Sequence, residues 1–71
     1  MNLKKWLDKN GWTQRGFSDK HGFDRGGFNR LVNGYHMPRV RTLRLIYQAT
    51  GGQVTAVDMA KAYEQNRKEH G

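Results

Sequence analysis

Apolar residues recur at helical spacing along most of the chain, and no stretch carries a convincing strand signal. Leu3, Trp6 and Leu7 fall at i, i+3 and i+4, with Lys4, Lys5, Asp8 and Lys9 on the opposite face. They predict a first helix over 3–10, capped by Asn2 and stopped by Gly11. Thr13 caps a second helix that runs to about His21 and ends at Gly22. Trp12 before that cap and Phe17 four residues after it have the spacing of a hydrophobic staple. Asp24 caps a third helix, with Phe23 ahead of it pointing into the core. In that helix Phe28 shares a face with Leu31 and Val32, and Asn33-Gly34 ends it. Pro38 keeps the connection before it extended. A fourth helix over 39–50 is expected, with Val40, Leu43, Ile46 and Tyr47 inward and Arg41 and Arg44 outward. Gly51-Gly52 breaks it. Thr55 and Asp58 have capping-box spacing and open a fifth helix over 56–67. Its apolar stripe is Val57, Ala60 and Tyr63, with Met59 beside it, and a frayed polar tail at 67–71 follows. The expected fold is all-α, five helices in one domain spanning 1–71.

Within this pattern, residues 13–34 are the most informative. Two short helices joined by a tight turn at Gly22 are the layout of a helix-turn-helix, here at 13–33, whose second helix enters the DNA major groove. With Phe28, Leu31 and Val32 inward, Arg25, Gly26, Gly27, Asn29 and Arg30 must face outward. An Arg/Asn face suits a helix that reads base edges, because arginine matches guanine O6 and N7 and asparagine matches adenine N6 and N7. Gly26-Gly27 stands out, since each glycine inside a helix costs roughly 1 kcal/mol relative to alanine. Close backbone approach to DNA, a first turn that orders only on binding, or a helix that starts late near Phe28 would each account for it.

Size and charge narrow the function further. The chain has 71 residues, and a domain of that length buries only about 60% of its unfolded surface. A catalytic cleft with supporting residues is hard to build on so small a core, and no nucleophile with a base, no catalytic carboxylate pair and no phosphate loop stands out. An enzyme is therefore not expected. Cysteine is absent, which excludes disulfides and thiolate metal sites. His21, His36 and His70 lie far apart in sequence, so no metal or cofactor is assigned. Neither a signal peptide nor a membrane span is expected from the charged start and the short apolar runs. Thirteen Lys and Arg against six Asp and Glu give a formal charge of +7, which favours a polyanionic partner. From Arg25 through Val57 there are five arginines and no acidic residue.

Thr13-Gln14, Phe17-Ser18, Gly22-Phe23-Asp24, Phe28, Asn33-Gly34 and Pro38 together resemble the phage Cro and repressor-like (XRE-type) helix-turn-helix family. The match runs from about Leu3 to Met59. Ser18 takes the place of the alanine usual where the two helices cross, which leaves a hydroxyl needing a partner. The resemblance implies a five-helix, lambda-repressor-like fold and a DNA-facing set of Arg25, Gly26, Gly27, Asn29 and Arg30. It also implies phosphate contacts from Gln14 and, more weakly, Arg15, with Tyr35, His36, Arg39 and Arg41 flanking a second phosphate clamp. Gln14 would in addition brace the start of the recognition helix. Arg25 could instead pair locally with Asp24, and Arg44 could be a solvated helix residue.

The expected function is that of a sequence-specific double-stranded DNA-binding regulator, a Cro-like repressor that occupies an operator in the cytoplasm of a prokaryotic or phage-infected cell. One recognition helix reads only a few base pairs, so a homodimer on an inverted repeat is expected. Met59 and Tyr63 are its candidate interface. The alternatives are an antitoxin-type or anti-CRISPR-associated autorepressor and, from a different class, a basic module that binds RNA or an acidic protein.

Overall fold

A computed structural model describes residues 1–70, which form five helices and no strand. They are α1 (Leu3–Lys9), α2 (Gln14–His21), α3 (Arg25–Val32), α4 (Val40–Ala49) and α5 (Ala56–His70). None is long and apolar enough to cross a membrane among the described residues.

Short polar side chains start the helices where the sequence places them. Asn2, Thr13 and Asp24 each accept a backbone N–H three residues on, from Lys5, Gly16 and Gly27. The Thr55–Asp58 box at the head of α5 is reciprocal. Asp58 Oδ2 accepts the Thr55 backbone N–H at 2.9 Å, and the Asp58 N–H donates back to Thr55 Oγ1 at 3.2 Å. The N-terminal ammonium also donates to Asp58 Oδ2, at 2.7 Å, and so ties the start of the chain to α5. These bonds, the ammonium first, pull the Asp58 pKa from 3.8 to about 2.

Phe17 is the hub of the core. Its ring meets Trp6 and Trp12 edge-on at 5.9 and 5.6 Å and stacks on Phe28 at 5.4 Å. The Trp12 contact is the predicted staple, and it joins the α1–α2 connection to α2. Leu3, Leu7, Leu31, Val32, Ile46, Val54 and Met59 complete the buried set, so every helix contributes to one core. Burying a side chain such as Phe17 contributes about 1.5–3 kcal/mol.

Five expectations about α4 and α5 are corrected. Val40 and Tyr47 were expected inward but are 66% and 51% exposed, and Val57 is 62% exposed. In α4 the inner face is Leu43 and Ile46, continued by Thr50 at the C-cap. Val40 lies in the first turn, beyond the reach of the core, and the Tyr47 ring lies over the Gly52 backbone. In α5 the inner face is Met59 and the residues about one and two turns on, Ala62–Tyr63 and Asn66, a rotation away from Val57. Met59, expected at a dimer surface, is only 3% exposed and belongs to the core. Tyr63 is half-buried, with the Arg67 guanidinium 5.7 Å above its ring. The fifth helix also runs past Arg67 to His70, where a frayed tail was expected. Gly71 lies outside the described residues.

Candidate nucleic-acid interface

The geometry of the α2–α3 pair follows from three small features. Gly22 adopts φ +74°, a left-handed conformation that glycine reaches without steric cost, and it turns the chain between the helices. Ser18 is buried at the junction, and its hydroxyl finds the partner it needs in the Arg15 carbonyl at 3.0 Å. The Phe23 N–H donates to the Ser18 carbonyl at 2.8 Å and closes the turn. Asp24 then opens α3, its Oδ2 accepting the Gly27 N–H at 2.8 Å. Helix α3 therefore begins at Arg25, with Gly26 and Gly27 helical in its first turn rather than preceding a later start.

The inner face of α3 is Phe28, Leu31 and Val32, as its periodicity requires. Arg25, Gly26, Asn29 and Arg30 are exposed and Gly27 is partly so. All five thus sit away from the core. Neither glycine is needed for packing. A Cβ at Gly26 or Gly27 would meet only the Asp24 side chain, with its nearest carboxylate oxygen at 3.5 and 3.4 Å, which is ordinary contact distance. Neither residue has positive φ.

Two side-chain bonds organise this outer face. Asn29 Nδ2 donates to Gln14 Oε1 at 2.9 Å, so Gln14 braces α3 across fifteen residues of sequence. That bond uses one of the two Asn29 N–H groups and leaves the other, with the carbonyl oxygen, for a ligand. Arg25 pairs through Nε and Nη2 with the two carboxylate oxygens of Asp19, both at 3.2 Å. Asp19 had not been singled out from sequence. Asp24, the nearer acid in sequence, has its carboxylate engaged in capping instead.

The remaining candidates lie on α2, on the α3–α4 connection and at the start of α4. Arg15 is exposed on the first turn of α2. The α3–α4 connection carries exposed Tyr35 and His36, and His36 borders a shallow concavity with Phe23, Gly27, Leu31 and Thr42. This places His36 near the first turn of α3 rather than only near α4. Arg39 is the N-cap of α4 and makes no side-chain cap bond, and Arg41 is exposed in its first turn. The connection is held down by α5, whose Asn66 Nδ2 donates to the Asn33 carbonyl at 3.0 Å.

Among the described residues, no cluster of three or more His, Asp or Glu could hold a metal ion. Comparison with protein-family models, with curated proteins and with solved structures returns no match for this chain.

Proposed function

We propose that this chain is a sequence-reading, double-stranded DNA-binding regulator of the Cro and repressor-like helix-turn-helix type, with α3 as its recognition helix. The observation that carries this is the outer face of α3, where Arg25, Asn29 and Arg30 flank a glycine pair that the core does not require. A glycine pair kept against helix propensity, on a basic surface, fits a helix that must come close to a polyanion. Arg25 reads guanine. Asn29, already braced by Gln14, offers the donor and acceptor that adenine N7 and N6 require. Arg30 reads or clamps at the edge of the site. Gln14, Arg15, Tyr35, His36, Arg39 and Arg41 hold phosphates on either side and fix the register. Two copies on an inverted repeat, with half-sites about 34–36 Å apart, supply the specificity one helix lacks.

Selection from a random duplex pool at two salt concentrations, followed by sequencing, tests this. The expected result is an inverted repeat. Arg25→Ala should relax one position per half-site, with Arg41→Ala weakening all sequences alike. Recovery of no motif, with binding that collapses in salt, would reject base reading in favour of an architectural or RNA partner. An antitoxin-type or anti-CRISPR-associated autorepressor would give the same motif, found upstream of its own gene.

A further inference from the structure

The pairing of Arg25 with Asp19 is not explained by stability. Both side chains are half-exposed, and exposed ion pairs contribute little to folding. Each charge also sits at the end of its helix that the dipole disfavours. Asp19 lies in the last turn of α2, and Arg25 is the first residue of α3. A carboxylate on a surface that faces phosphates also opposes non-specific attraction.

The atoms used point to a different role. Asp19 takes the Nε and Nη2 edge of the guanidinium through both carboxylate oxygens. The Nη1 and Nη2 end remains, with two N–H groups pointing along the side-chain axis. That end is the fork that fits guanine O6 and N7. A free arginine has many rotamers and loses that freedom on binding, whereas one held by a bidentate carboxylate is already ordered. Asp19 lies on α2, whose crossing with α3 is fixed by Ser18 and Gly22, so the restraint comes from a second, rigid element.

We propose that Asp19 is a positioning residue that sets the base specificity of Arg25. It rests on the DNA-reading role of α3, and acts by holding the guanidinium with its terminal fork outward while its charge penalises contact with phosphate. Asp19→Asn then binds random duplex at least as tightly as the natural chain. It also discriminates about tenfold less at the base pair read by Arg25, within the range of one arginine–guanine contact. Asp19→Asn adds no further loss of discrimination once Arg25 is Ala, because it has no side chain left to position.

Two measurements test this. The first needs no DNA: the Arg25 Nε–H resonance is followed by NMR in the natural chain and in Asp19→Asn. An ordered, exchange-protected Nε–H that becomes mobile in the variant is expected. Equal mobility in both overturns the proposal. The second compares binding to the selected duplex and to a variant altered at the Arg25 position, for the natural chain, Asp19→Asn, Arg25→Ala and the double variant. Two further results would overturn it: Asp19→Asn strengthening both duplexes by the same factor, or its loss of discrimination persisting in the Arg25→Ala background. If the natural chain shows no preference for any duplex while the resonance behaves as expected, the DNA-reading role has failed and the specificity role of Asp19 falls with it. The ion pair itself would stand.

Discussion

Gly34 and Gly26 show how the same residue type serves two ends. Gly34 has φ +76°, and a Cβ there would run into the Ala62 carbonyl of α5. Gly34→Ala therefore combines backbone strain with a collision against a helix backbone that cannot give way. It should lower the unfolding free energy by about 2 kcal/mol or more. Gly11 has φ +72° with nothing within 4 Å of its Cβ position, so Gly11→Ala reports strain alone, about 1–2 kcal/mol. Denaturant unfolding of the two variants separates the terms, and equal losses would mean that the α3–α4 turn yields to α5. Gly26→Ala has the opposite sign. With helical φ and only an ordinary contact with the Asp24 carboxylate at 3.5 Å, alanine should raise the stability of the free protein by about 0.4–1 kcal/mol. It should also weaken duplex binding, because the added methyl stands on the proposed DNA face. A variant that is more stable and binds DNA equally well would remove the glycine pair from the argument for function.

At the scale of the element, caps, turns and the inner faces of α1 and α3 were readable from sequence, and the rotation of α4 and α5 was readable only in part. Asn2, Thr13, Asp24 and the Thr55–Asp58 box all cap as their spacing suggests, because a cap involves residues three apart and no tertiary partner. The inner faces of α4 and α5 depend on what packs against them. Val54, in the α4–α5 connection, is fully buried, although it belongs to no helical stripe that periodicity could find. With Val54 and Ile46 filling the middle, Val57 is left outside and Met59 turns in. The Asp19–Arg25 pair was missed for a similar reason. It spans six residues across a turn whose geometry comes from Gly22, while Asp24 is a nearer acid in sequence. Asp58, held by the N-terminal ammonium and then by the Thr55 backbone, also carries a pH prediction. The folded-state pKa of Asp58 is lowered from 3.8 to about 2, so its bonds contribute stability that is complete above about pH 4. That contribution is lost as the pH falls from 4 towards 2. Thermal melts across this window should show the natural chain losing stability faster than Asp58→Asn, which should start less stable at neutral pH. Parallel curves would place the acid sensitivity in other carboxylates.

At the scale of the whole molecule, the net charge of +7 and the placement of its arginines predict how binding responds to salt. Each phosphate neutralised releases counterions, and log K falls against log salt with a slope of about −0.9 per contact on B-form DNA. Arg41 is exposed in the first turn of α4, a helix start where a cation is disfavoured by the dipole unless an anion lies beside it. Arg41→Ala should therefore make the slope shallower by about 0.9 and reduce affinity for every duplex by a similar factor, leaving the selected motif unchanged. Arg25→Ala should alter the motif more than the slope, since its fork is assigned to a base. The two residues lie on different helices and share no bond in the structure, so their effects on binding free energy should add. Salt titrations of the natural chain, each single variant and the double variant, on selected and random duplex, check both assignments together. If Arg41→Ala changed the motif, or if Arg25→Ala changed only the slope, the division between the base-reading face of α3 and the phosphate-holding start of α4 would be drawn in the wrong place.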